Sequence, residues 1–222
     1  MLKTIVGIID SGYSFSSRID YLIDLECLNC HDDKIGHGTG CIHIISEQLG
    51  DFQDYVQYKM YKIFDDDLKT SLKNFKQALD YMKTQKLSLL NLSLSLKNHD
   101  NETELLIKEF IRQGVIVVVA MSNRNQKNSL SNIDGVLHVH GTSILPEECI
   151  QSIGFSGVAA SLCPRIINMS ETEFKVFGGN SKAACIVVAH ILKCIIMNQD
   201  SIGMIRNLEV YKGEIIKDSK MQ

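Results

Sequence analysis

The sequence predicts an α/β domain of three layers, αβα, in which a mostly parallel central sheet is covered on both faces by helices. Three observations predict it. Strand-like and helix-like segments alternate through the first half of the 222-residue chain. The run VIVVVA, residues 115 to 120, is continuously apolar and β-branched, as suits a strand buried on both faces. Leu68, Leu72, Phe75, Leu79 and Met82 recur at steps of four, three, four and three, which makes one apolar face on a helix of about four to five turns.

The elements follow in order. TIVGII, residues 4 to 9, is a short β-branched strand. After it comes a loop rich in Ser, Asp, Asn and Cys, and then HGTGCIHIISEQLG, where Cys41, Ile44, Ile45 and Leu49 fall at helical spacing. VQYKMYKIF (56 to 64) reads as a strand and leads to the amphipathic helix already described. LSLLNLSL (87 to 94) is strand-like, and ETELLIKEFIRQG is a helix ended by Gly114. Residues 136 to 177 are less regular, with short candidate strands around GVLHVHG, ECIQSIGFSG and PRIINM. A helix from 181 to about 197 follows, and MIRNLEVYKGEIIKD adds a last short element.

Composition limits the functions that fit. With 45% hydrophobic residues the chain can bury a substantial core, and it is read as a single domain over residues 1–222. A net charge of -3 with 22% charged residues gives no basic field, so nucleic acid is not expected as a partner. The N-terminal apolar run is short and interrupted by Asp10, and CIVVAHILKCIIM is also short and carries His190 and Lys193. The expectation is a cytoplasmic protein without a membrane span. Seven cysteines in such a setting read as free thiols, several of them buried, and not as a disulfide framework.

In parallel sheets, chemistry gathers beyond the carboxyl ends of the strands. Asp10 stands there after the first strand, and Met121, Ser122 and Asn123 stand there after VIVVVA. Taken one at a time the candidates are ordinary. Asp10 suits a turn, His37 a helix start between two glycines, Asn123 a loop, and Ser181 in GGNSKAA a helix cap. Taken together, IVGIIDSG, GHGTGC, VIVVVAMSN and GGNSKAA resemble, in this order and over nearly the whole chain, the motifs of the subtilisin-like serine peptidases. The resemblance implies a subtilisin-like fold and a serine endopeptidase. Asp10, His37 and Ser181 would form its triad, and Asn123 would be the oxyanion-hole amide.

The chemistry accounts for the residue types. A neutral hydroxyl is a poor nucleophile unless a base takes its proton during attack, and His37 would be that base. Asp10 would hold the productive tautomer and stabilise the imidazolium. Ser181 at a helix start brings its own N–H to the developing oxyanion, so helix start and nucleophile are compatible roles. Ser93, Leu94 and Ser95 match the family segment that pairs with the substrate backbone, with Ser95 where glycine is usual.

Several positions depart from the family pattern. Asn180 replaces Thr, Lys182 a residue that is commonly Met, Cys185 the usual Pro, and Gly40 a common His. Lys182 either places a cation beside the nucleophile or lies on the solvent face of the helix. The chain begins nine residues before Asp10, which reads as a member without a propeptide, and the stretch after His37 looks shortened where relatives carry a calcium loop. Asp65, Asp66 and Asp67 suit a solvated turn better than a calcium site, so neither metal nor cofactor is expected. The expected substrate is a peptide, for example a precursor whose leader is removed, and an activating or inhibiting protein partner is a further expectation. Three other readings stand beside this one: a non-catalytic peptide-binding relative; haem attachment or half a zinc site at Cys27, Cys30 and His31 in CLNCH; and an actin-like phosphate loop at IIDSG.

Overall fold

The computed structural model describes residues 3–15, 23–28, 33–64, 69–122, 128–147, 149–154 and 156–197. Ten strands and four α-helices are assigned among them. Strand β1 spans Thr4–Asp10, β2 Asp24–Leu28 and helix α1 His37–Leu49. Next come β3 (Val56–Lys62), α2 (Leu72–Lys83), β4 (Leu89–Leu92), α3 (Asn101–Arg112) and β5 (Ile116–Ala120). The last part holds β6 (Leu137–Thr142), β7 (Ile150–Ser152), β8 (Gly157–Ser161), β9 (Arg165–Asn168), β10 (Phe174–Phe177) and α4 (Gly179–Ile196).

Eight strands form one sheet in the order β2-β3-β1-β4-β5-β6-β8-β7, and β9 and β10 form a separate antiparallel ribbon. Every pairing in the large sheet is parallel except β7 with β8. The expected mostly parallel α/β sheet is therefore the observed one. Alternating side chains of β1 and β5 divide between two cores: Val6, Ile8, Val118 and Ala120 pack with α1 and α4, whereas Ile9, Val117 and Val119 pack with α2 and α3. That division makes the three layers.

Helix α4 is apolar on all sides, and twelve of its residues are buried. By length and composition it could cross a membrane, but here it lies against α1, β6 and β8 as a core helix. Each buried Ile, Val or Leu on it contributes about 1.5–3 kcal/mol of apolar transfer. Helix α2 begins at Leu72, because Ser71 is extended and its Oγ accepts from Asn74 N at 3.1 Å. Leu68, the first residue of the expected stripe, lies outside the described residues, as do Asp65–Asp67. Asp100 caps α3 in the same way, accepting from Thr103 N at 2.9 Å.

Some expectations need correction. The stretch read as a loop before the first helix contains β2, a sheet-edge strand with no fully buried residue. Its polar composition is that of an edge, where Asp24 pairs with Lys3 at 2.9 Å and Glu26 pairs with Lys59. The free-thiol reading holds for Cys41, Cys149, Cys163, Cys185 and Cys194, whereas Cys27 is disulfide-bonded. Cys30 and His31 lie outside the described residues, as does the expected element at 204–218.

Candidate active site

The order of strands places the site. From β1 the chain moves to β3 on one side of the sheet, and β4, β5 and β6 follow on the other, so the carboxyl end of β1 lies at a crevice between the two directions. Asp10 ends β1 there, with no solvent exposure. Its Oδ1 accepts from Ser11 N at 2.7 Å and faces His37 Nδ1 at 2.8 Å.

His37 is the first residue of α1. The preceding Gly36 has φ of 80°, a left-handed conformation, and makes no side-chain cap bond. Asp33 takes over the capping: its Oδ1 accepts from Gly36 N at 2.9 Å, and its Oδ2 accepts from Thr39 N at 2.8 Å and Thr39 Oγ1 at 2.7 Å. Gly38 is required by contact, since a Cβ there would stand 2.2 Å from the Gly12 carbonyl oxygen and 3.3 Å from Asp10 Cβ. Gly40 is explained likewise, because a Cβ would stand 2.6 Å from the ring of Phe177. That ring packs edge-on against the His37 imidazole at 5.3 Å, so Phe177 fills the space above Gly40.

Ser181 stands on α4 with 7% exposure. The helix begins two residues earlier than the sequence suggests, at Gly179, which has φ of 75° and donates its N–H to Leu162 O at 3.0 Å. Ser181 is therefore the third helical residue. Its hydroxyl lies 3.0 Å from His37 Nε2 and 3.2 Å from Ser93 O, so it does not act as the helix cap. Asn180 Oδ1 accepts from Gly141 N at 2.5 Å and so ties the start of α4 to β6. Lys182 is 1% exposed and reaches Glu147 at 2.5 Å, while Glu147 also holds Arg165 Nε at 3.0 Å. Lys182 is thus a cation next to Ser181 in the chain whose partner is the acidic Glu147, and the solvent-face reading does not describe it.

Asp10, His37 and Ser181 thus form one hydrogen-bonded line. It runs into a cleft of about 240 Å3 lined by His37, Phe64, Ser93, Leu94, Ser95, Ala120, Met121, Ser122 and Ser181. Ser93, Leu94 and Ser95 follow β4 along this cleft, with Ser93 and Leu94 buried and Ser95 exposed. Asn123 lies outside the described residues. Burial pulls the imidazole of His37 toward its neutral form, but the neighbouring Asp10 charge, the Cys41 sulfur and the hydrogen bonds to both outweigh this and raise its pKa well above the ordinary 6.5. Donor atoms of Asp10, His37 and Cys41 lie within 4.8 Å of one another, the one such group of three among the described residues. They are joined by hydrogen bonds, since Cys41 Sγ donates to Asp10 Oδ2 at 3.6 Å.

Asp33, Phe64, Glu147 and Phe177 are not singled out by the sequence, and Cys41 is read there only as an apolar position of the first helix. Asp33 had a readable signal, a cap-type residue just before a helix. The others carry none, because their partners are distant along the chain.

Neither a protein-family model nor a curated protein sequence matches this chain. Solved structures do. The chain superposes on the prenylagaramide maturation protease PagA with a TM-score of 0.70 and 18% identity, over 91% of this chain and 80% of that one. It superposes on the self-cleaved protease domain of PatA with a TM-score of 0.70 and 15% identity, over 91% and 86% of the two chains. A cold-adapted subtilisin-like serine proteinase gives 0.69 and 16%, over 89% and 77%. The fold is accordingly the subtilisin-like one.

Proposed function

We propose that this chain is a serine endopeptidase that works through an acyl-enzyme. The carrying observation is the unbroken line from Asp10 Oδ1 through both His37 nitrogens to Ser181 Oγ, at 2.8 and 3.0 Å, opening into the cleft lined by Ser93, Leu94 and Ser95. In this reading His37 removes the Ser181 proton as Oγ attacks the scissile carbonyl, and then delivers that proton to the leaving amine. Asp10 stabilises the imidazolium formed between the two steps. The N–H of Ser181, near the start of α4, and the Asn123 amide are the donors for the oxyanion. Ser93, Leu94 and Ser95 hold the substrate main chain beside the nucleophile.

The substrate is proposed to be a precursor peptide cut at a restricted site, as in leader removal. Support comes from the two fold relatives described as a maturation protease and as a self-cleaved protease domain. The test is labelling with a fluorophosphonate followed by peptide-library profiling. Parent protein is expected to take the label at residue 181 and to cut a narrow set of sequences, and Ser181→Ala to do neither. Equal cleavage by the variant would refute the mechanism, and broad digestion of casein would refute the narrow specificity.

The pH dependence has a definite sign. A general base must be neutral to accept a proton, and His37 is protonated below its raised pKa. The acid limb of kcat/KM is therefore expected to lie above pH 6.5, with activity rising through it as pH increases. A limb below 6.5 would contradict the raised pKa of His37.

A further inference from the structure

We propose that Cys41 is a positioning residue for Asp10, its thiol proton fixing the carboxylate in the plane where Oδ1 meets His37 Nδ1. The inference rests on the reading of Asp10, His37 and Ser181 as a catalytic line. Asp10 is wholly buried, and its two oxygens are served differently. Oδ1 has two partners, Ser11 N and His37 Nδ1, while Oδ2 receives from the described residues only the Cys41 thiol at 3.6 Å. A buried carboxylate oxygen without a donor is unfavourable, and a carboxylate held at one oxygen is free to turn about its bond to Cβ. Helical spacing puts Cys41 in place, since residues i and i+4 share a face and Cys41 lies one turn beyond His37.

The thiol is supported from behind. Cys185, on α4, lies beside Cys41 and is 3.9 Å from Ser93 Oγ, and Ser93 Oγ also bonds the Asn91 side-chain amide at 3.1 Å. The Ser93 carbonyl oxygen in turn lies 3.2 Å from the Ser181 hydroxyl. Helices α1 and α4, which carry His37 and Ser181, therefore meet through two buried thiols that connect the acid to the wall of the cleft.

Burial, with Cys185 alongside, pushes the Cys41 thiol well above its ordinary range, so it keeps its proton throughout the range in which a histidine titrates. The titratable groups acting on His37 are Asp10 from β1 and Cys41 from its own helix. Those acting on Cys41 are Cys185 from α4, Asp10 and His37. From β3, buried Tyr58 lies near Cys185, and its hydroxyl is held protonated well beyond its usual range by burial. None of these competes with Cys41 as donor to Oδ2.

The test is an NMR titration of the His37 imidazole in the full chain carrying Cys41→Ser, Cys41→Val or Cys41→Ala. Without a donor at Oδ2 the carboxylate is free to turn from Nδ1 and holds the imidazolium less tightly, and the His37 midpoint is expected to move down by about 0.5–1 pH unit in the Val and Ala variants. Cys41→Ser keeps a donor and is expected to stay near the parent. A folded Val or Ala variant with an unchanged midpoint, or a Ser variant shifted as far as Val, overturns the proposal, because a filler of space would alter stability and leave the titration alone. Failure of both apolar variants to fold while Ser folds supports the need for a donor at this oxygen. The readout does not depend on Ser181 chemistry. If Ser181 takes no label while His37 shifts as expected, the peptidase reading fails and the role of Cys41 stands.

Discussion

The double variant His37→Ala/Ser181→Ala is expected to hydrolyse a good peptide substrate no more slowly than either single variant, each being down by on the order of 10^6 in kcat, the size of the loss measured in subtilisin itself. In the proposed mechanism base and nucleophile act on one proton. Once His37 is gone, the Ser181 hydroxyl 3.0 Å away has nowhere to send it, so removing the hydroxyl as well costs nothing further. Two losses that multiplied would mean that the side chains contribute through separate steps, and the acyl-enzyme scheme would be wrong. KM should change little in the variants, since the cleft wall at Ser93 and Leu94 belongs to β4 and its extension and not to the substituted side chains. The measurement is steady-state kinetics on freshly purified variants, with parent contamination limited by titrating active sites with the fluorophosphonate.

The sequence made the parallel sheet legible because its central strands are buried on both faces. A run such as VIVVVA has no competing reading of similar strength, and each central strand alternates with a helix whose apolar positions repeat at helical spacing. It made Asp10, His37 and Ser181 legible through short motifs at element ends, and the structure brings all three within hydrogen-bond reach of one another in turn. Strand β2 was missed because an edge strand needs no apolar face, and Asp24 and Glu26 serve it through ion pairs with Lys3 and Lys59. Strands β8 and β10 were missed for a different reason. GVAAS is small and buried, FKVF stands mostly exposed on a ribbon, and neither alternates as a half-buried strand would. The start of α4 was set two residues late because Gly178 and Gly179 read as a turn, when Gly179 in its left-handed conformation is the first turn of the helix. What Cys41 and Gly40 do could not be read at all, since each is defined by contact with a residue far along the chain.

The largest effect on stability is expected at Glu147, and it should be asymmetric. Lys182 is 1% exposed, and its side chain ends at Glu147, whose side chain is 27% exposed and also holds Arg165. Glu147→Gln leaves a buried ammonium without a counter-charge. Breaking such a pair costs about 3–5 kcal/mol when both partners are buried, and partial exposure of Glu147 brings the expectation to about 2–4 kcal/mol. Lys182→Met removes the charge and keeps an unbranched chain of similar length. Glu147 then retains Arg165 at 3.0 Å, so the expected change is within about 1 kcal/mol of the parent, of either sign. Urea unfolding in a Ser181→Ala background, where self-digestion cannot blur the transition, measures both. Equal losses from the two substitutions would show that the packing of the Lys182 stem, and not its charge, is what the site requires. The same comparison bears on catalysis. Because the Lys182 ammonium is committed to Glu147, Lys182→Met with Ser181 restored should keep the acid limb of kcat/KM where it was, and a displaced limb would mean that this cation does reach the electrostatics of His37.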